Sequence, residues 1–171
     1  RIITAGIEAV MQFTVPKNIM NQYSFTIENN EEIPMDDLVE KLIKCGYTRT
    51  ESVEGASQFS VRGSIVDIFS PQTDQPVRIE FWGDEVDSIS YFDLETQRRN
   101  ESLTAIKIVP ARETLYEPSE LAQKISTVVK QTRGKNAEKF KQKAAEDIEK
   151  LNAGIMIKNS DKYISLIYDD G

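Results

Sequence analysis

Histidine is absent from the chain, and with it the commonest general base and the commonest metal ligand. Cysteine occurs once, as Cys45, so no internal disulfide can form and zinc sites built from Cys and His are excluded. A lone thiol fits a reducing cytosol, and the expected location is cytoplasmic. Phosphate-cradling runs are missing as well: neither G-x-x-x-x-G-K-[ST] nor G-x-G-x-x-G occurs. No apolar run approaches the roughly 18 residues of a membrane span, and no secretory signal pattern is present. Positive charge is in deficit, with 21 basic side chains against 28 acidic ones, a net charge of −7. A surface of that sign does not attract nucleic acid as a whole, so a DNA contact would need a local basic patch. Adjacent acids such as Asp84-Glu85 and Asp169-Asp170 fall in a turn and at the chain end, where solvation is the ordinary fate. No catalytic residues, cofactor or metal are therefore expected in this stretch of chain, and it does not read as an enzyme by itself.

What is present is a sufficient core. The 171 residues are 39% apolar, enough for one ordinary domain, or for a small domain with part of another. A chain opening on Arg1 without an initiating methionine reads as a piece of a longer protein. Ile2-Ile3 followed by Ile7, Val10 and Met11 at helical spacing, stopped by Pro16, suggests the tail of a domain begun upstream. "QYSFTIENNEEIP" alternates Tyr23, Phe25 and Ile27 with polar residues and predicts a half-buried strand running into an Asn29-Asn30 turn. "PMDDLVEKLIKCGY" predicts a helix: Met35, Leu38, Val39, Leu42 and Ile43 share a face, Pro34 suits the first turn, Asp36 and Asp37 complement the dipole, and Gly46 suits the stop.

Residues 58 to 109 read as strand and turn throughout. "QFSVRG" sets Phe59 and Val61 against Ser60 and Arg62, and "VRIEFW" sets Val77, Ile79 and Phe81 against Arg78, Glu80 and Trp82. "GDE" is a hairpin signal before "VDSISYF", and "AIKIVP" is the last strand. The expected fold class is α+β: an antiparallel meander with the 34–45 helix over one face. The meander is inserted in a second, partial α/β domain made of the two flanks. The divisions expected are 1–16, 17–113 and 114–171. In the last of these, Leu121, Ile125, Val128 and Val129 mark one helix, with Ser119 as its cap. Ala137, Phe140, Ala144, Ile148 and Leu151 mark a second helix ending at Gly154, and "KYISLIYDDG" a final strand.

Several short motifs, in order, carry a family resemblance: Val61-Arg62-Gly63, Asp67-Ile68-Phe69, Pro76-Val77-Arg78-Ile79-Glu80-Phe81, Asp84-Glu85-Val86, Phe92-Asp93, Thr96-Gln97-Arg98 and Pro110-Ala111-Arg112-Glu113. Together they resemble the UvrB-homology region of the bacterial transcription-repair coupling factors. "FDLETQRR" and "IVPARE" lean toward that family rather than toward the UvrB damage-recognition helicases. The resemblance implies a protein-docking module: residues 17–113 would match a domain that binds UvrA, the damage sensor of nucleotide excision repair. The flanks 1–16 and 114–171 would match a degenerate helicase-like domain without a working ATP site. It also implies a longer, monomeric protein that translocates DNA with ATP and displaces stalled RNA polymerase, meeting polymerase and DNA through other domains. In the resting protein the docking face can be covered by another domain.

By motif position the resemblance assigns partner binding to Arg62 and Arg49, with Phe69 a further candidate. Where UvrB-like sequences often carry another arginine, two residues before the Arg-Gly pair, this chain has Ser60. Against these assignments stand plainer readings. Arg62 can pair across strands with Asp67 or Glu80, Arg49 can be a solvated loop residue, and Phe69 can belong to the core. Gly63 reads as a bulge or a close backbone approach. Arg78 and Glu80 are expected to pair rather than to function, and Trp82 to pack against a loop, with an interface contact as the alternative. Arg98-Arg99 and the basic run at 135–143 read as solvated, with phosphate contact as the alternative. Competing functions are a DNA-binding domain using those basic groups, or a UvrB-type helicase fragment with a remnant nucleotide site.

Overall fold

The alternation of residues 59–81 places half of each strand's side chains on one side, and the inward set needs a cover. In the computed structural model that cover is the helix the sequence predicts. The structure describes Thr4, Gly6, residues 14–134 and residues 137–168. The apolar run at Ile2-Ile3, the helical spacing at Ile7, Val10 and Met11, and Asp169-Asp170 lie outside the described residues. Chain contacts divide the protein into Lys17–Arg112 and a unit of Arg1–Pro16 with Glu113–Gly171.

In the first unit a short helix α1 (Lys17–Gln22) precedes β1 (Phe25–Glu28) and α2 (Met35–Lys44). β2 (Thr48–Arg49), β3 (Gln58–Arg62), β4 (Ile65–Phe69), β5 (Val77–Trp82), β6 (Glu85–Phe92) and β7 (Arg99–Leu103) then form a sheet in that spatial order, followed by β8 (Ala105–Ile108). Neighbours from β3 to β7 are antiparallel. Cross-strand partners Phe59↔Ile68, Val66↔Ile79 and Ile68↔Val77 share the inward face. There they bury with Leu38 and Leu42 of α2 and with Ile27, Ile106 and Ile108. Burying each such side chain contributes roughly 1.5–3 kcal/mol.

Three expectations are corrected. The last strand does not join the meander: β8 pairs antiparallel with β1 from Phe25↔Ile108 to Glu28↔Ala105 as a separate ribbon, which lets Ile106 and Ile108 reach the same core as Ile27. Arg99, read with Arg98 as part of a solvated turn, instead opens the edge strand β7. Its side chains "RNESL" carry no apolar alternation; backbone pairing to β6 holds it, and its charge suits an edge. At the other edge Arg49 lies not in a loop but in β2, which runs parallel to β3.

α2 has Pro34 at its N-cap, with Asp36 and Asp37 in the first turn. Gly46 ends it at φ +87°, where a Cβ would come within 2.7 Å of Arg112 Cγ. The Ala111 amide donates to the Cys45 carbonyl at 2.8 Å, and Tyr47 Oη to the Val109 carbonyl at 2.8 Å, tying the helix end to the chain after β8. The Cys45 thiol donates to the Tyr23 carbonyl at 3.0 Å, and burial pushes its pKa up to about 11. A raised folded value means the contribution of the neutral thiol to stability is present below the unfolded pKa near 8.5 and is lost as pH rises toward the folded one. Cys45 is accordingly expected to resist iodoacetamide at pH 8 in the folded protein and to react stoichiometrically in denaturant. Mass spectrometry of the alkylated chain checks this; rapid native labelling would contradict the buried position.

The second unit is helical among its described residues. α3 (Pro118–Gln131) and α4 (Ala137–Asn152) pack Leu121, Ala122, Ile125, Ala144 and Leu151 together with Ile157 and Tyr163. Glu117, not Ser119, is the N-cap of α3, with Pro118 opening the first turn. The expected C-terminal strand is instead a 3-10 turn (Ser160–Tyr163) running into α5 (Ile164–Ile167). Tyr163, Leu166 and Ile167 fall at helical spacing and face the apolar cluster, and no strand partner exists among the described residues of this unit. Tyr163 Oη donates to Asp147 at 2.8 Å, and Lys162 Nζ lies 2.6 Å from the same carboxylate. Burial alone would raise the Asp147 pKa, but Lys162 and Tyr163 together hold it below the usual carboxylate range.

Candidate functional site

With Phe59 and Val61 turned toward α2, Ser60 and Arg62 must face the other way, and the register carries that outer face across the sheet. Ser60 lies opposite Asp67, Asp67 opposite Arg78, and Arg78 opposite Ser90. Arg62 is the last residue of β3. Gly63 and Ser64 make the turn into β4, with Gly63 at φ +59° and open space where a Cβ would stand. Glycine is there for its backbone conformation. The bulge reading of Gly63 is thus corrected: Arg62-Gly63 marks a hairpin end, not the middle of one strand.

Asp67 is the centre of the face and is 2% exposed. Arg78 donates to it twice, from Nε to Oδ1 at 2.7 Å and from Nη2 to Oδ2 at 2.9 Å. Arg62 Nη2 donates to the same Oδ2 at 2.7 Å. The forked pairing makes Arg78 a fixture. It is itself buried, lies 4.4 Å from the Phe92 ring centroid, and donates from Nη1 to the Gln97 carbonyl at 3.2 Å and from Nη2 to Gln97 Oε1 at 3.0 Å. Its hydrogen bonds to Asp67 raise its pKa further, against the effect of burial, so it stays charged at every relevant pH. Gln97 sits at φ +58°, and its Nε2 donates to the Leu94 carbonyl at 2.9 Å. The turn that presents it is closed by Asp93, which accepts from the Thr96 amide at 2.7 Å and from Thr96 Oγ1 at 2.8 Å. Those two bonds hold the Asp93 pKa below its ordinary value.

The charges in this cluster do not balance. One buried carboxylate faces two guanidiniums, and the surplus falls on Arg62, whose side chain is 46% exposed. Only its Nη2 is engaged, with Asp67 and, at 3.4 Å, with Gln97 Oε1. Its Nε and Nη1 hydrogens have no acceptor among the described residues. Arg62 is thus anchored by one nitrogen and open to solvent with the rest, an arrangement suited to a carboxylate from outside. Beside it, Glu80 accepts from Ser88 Oγ at 3.1 Å and pairs with Arg99. Of the two cross-strand partners the sequence offers for Arg62, the structure selects Asp67 and gives Glu80 to Arg99. Arg99, read as solvated or phosphate-binding, is therefore held by its own sheet.

The residues assigned by motif do not form one patch. Phe69 shares the outer face but stands at the far end of β4, half-buried and opposite Gln58, four residues or about 13 Å along the strand from the Arg62 end. Arg49 pairs with Phe59, so the parallel register sets it, exposed, at the edge toward the α2 side rather than beside Arg62. Ser60 is buried beside Asp67, and its Oγ has no partner among the described residues. Trp82, expected to pack on a loop, is instead 82% exposed. Asp67 and Gln97 as holders of Arg62, both of them fixed by Arg78, are not legible as a set. Only the strand register and the left-handed backbone of Gln97 bring them together.

Residues 25–114 match the family model described as the UvrB interaction domain. Among curated proteins, the chain is 31% identical to the transcription-repair-coupling factor of Bacillus subtilis over 98% of its own length and 15% of that protein. It is 35% identical to that of Myxococcus xanthus over 66% of the chain and 9% of the relative, and 27% identical to that of Mycobacterium tuberculosis over 99% and 14%. The chain thus spans 15% or less of the length of these relatives.

Proposed function

The chain belongs to the UvrB interaction domain family, and on that premise we propose that residues 17–113 are the module with which a transcription-repair coupling factor docks UvrA. The observation that carries this reading is the state of Arg62: a guanidinium anchored through one nitrogen by buried Asp67 and half-exposed otherwise. Partly desolvated arginines that meet a partner's carboxylate are frequent interface hot spots. The unengaged donors of Arg62 select for an acidic group on the partner, although the chain as a whole is acidic.

In this reading the residues perform no chemistry. The sheet holds a charge in place so that little ordering is needed when the partner arrives. The longer protein is an ATP-dependent DNA translocase of the cytoplasm that acts as a monomer and removes stalled RNA polymerase. ATP, polymerase and DNA are met by its other domains, and the docking face passes the lesion to excision repair.

Calorimetric titration of the chain with UvrA tests the proposal. Saturable one-to-one binding is expected, weakening as salt is raised because the pairs form at a solvent-accessible rim. Absence of binding at up to about 100 µM, where even a weak specific complex would register, would overturn it.

A further inference from the structure

Trp82 occupies a position where a polar residue would be the ordinary choice. It ends β5 at the Gly83-Asp84 turn, and its outward side chain is 82% exposed. The neighbouring Phe81 is buried in the core, so the alternation of the strand assigns Trp82 to the outer face, the face of Glu80, Arg78 and Arg62. No hydrogen-bond acceptor among the described residues receives its indole N–H. Leaving so large an apolar surface in water gains the folded chain nothing, and tryptophan is enriched where one protein anchors to another.

The position is also rigid. Trp82 pairs with Glu85 across the hairpin, whose turn is set by Gly83 at φ +64°. The Phe81 amide donates to the Ser64 carbonyl at 2.9 Å, joining this hairpin to the one that carries Arg62. From the other side the Ile33 amide donates to the Asp84 carbonyl at 2.8 Å, and the Val86 amide to the Glu31 carbonyl at 2.9 Å. An aromatic ring on so fixed a stem loses little freedom when it is covered. Both hairpin turns lie at the same end of the sheet. Arg62 stands opposite Ile65, and Ile65 opposite Glu80, two residues before Trp82. Two strand spacings and two residues of rise separate the Arg62 and Trp82 backbones by about 12 Å, with half-buried Ile65 between them.

We propose that Trp82 is the apolar anchor of the docking surface, taken up by a depression in UvrA that lies beside the carboxylate met by Arg62. This rests on the UvrA reading above and extends it with a second contact point and a shape for the partner. The surplus positive charge at Arg62 argues for that occupant over a second copy of this chain.

Trp82 is the sole tryptophan, so 5-fluorotryptophan places one fluorine label at this position. The experiment titrates unlabelled UvrA into the labelled chain by fluorine NMR, and measures the affinities of wild type, Trp82→Phe and Trp82→Ala by calorimetry. The expected results are a bound-state resonance that loses its solvent isotope shift, a loss of at least about tenfold in affinity for Trp82→Ala, and a smaller loss for Trp82→Phe. Melting temperatures should stay within about 2 °C of wild type, since so exposed a side chain supports little of the fold. If wild type binds while Trp82→Ala binds within about twofold and the resonance keeps its isotope shift, the anchor is rejected and the docking module stands. If wild type does not bind UvrA, the module fails and the anchor falls with it.

Discussion

Asp67→Ala should destabilise the Lys17–Arg112 unit by about 3–5 kcal/mol, the usual consequence of leaving a buried partner charge uncompensated. The substitution strands Arg78, which is 8% exposed and would keep the Phe92 ring, Gln97 and the charge of Glu80 but no paired carboxylate. It also frees Arg62 from the bond that fixes its direction, so loss of stability and loss of docking should appear together. For a unit of this size each kcal/mol moves the midpoint by about 4–8 °C, and a fall of at least about 10 °C is expected. Amide hydrogen exchange in β3, β4 and β5 is the appropriate probe, because it reports this unit separately from the helical one. A loss below about 1 kcal/mol, the range of an exposed ion pair, would show that Asp67 does not hold the face together.

Helix α2 between Pro34 and Gly46 and the Trp82–Glu85 hairpin were legible because their signals are local: a stripe with acidic first-turn residues, and a Gly-Asp turn between alternating runs. The β1–β8 ribbon was not, because Phe25 meets Ile108 across the whole intervening sheet and nothing in either strand names its partner. β7 escaped because four of its five side chains are polar and only Leu103, at its end, reaches the core. The C-terminal segment misled because Tyr163, Ile164, Leu166 and Ile167 form a short apolar run that suits strand and helix equally, and packing on Leu121 and Ile125 decided for helix.

The same division between local and remote information governs the site. That Arg62 points away from the core follows from Phe59 and Val61 alone. That Arg49 points elsewhere depends on β2 running parallel to β3, which the sequence does not declare. The sharing of Asp67 between two arginines needs three strands in register. Gln97 joins them only because the backbone takes a left-handed turn that few side chains adopt.

Arg62→Ala should do the opposite of Asp67→Ala. Asp67 keeps both of its bonds from Arg78, so the fold should be nearly untouched and the midpoint should move by about 2 °C or less. The partner would lose the guanidinium, and affinity for UvrA should fall by about thirtyfold, corresponding to roughly 2 kcal/mol for a hot-spot arginine. Alanine is a cleaner probe here than glutamate, which would set a second carboxylate beside buried Asp67 and disturb the sheet as well as the interface.

The dissociation constant of UvrA from the Arg62→Ala chain, measured beside wild type at low and at physiological salt, asks most directly whether an anchored, outward guanidinium makes the dock. The expected outcome is a large loss at low salt that narrows as salt screens the wild-type contact, with both chains equally folded. Equal affinities for the two folded chains at both salt concentrations would contradict the proposal at its centre.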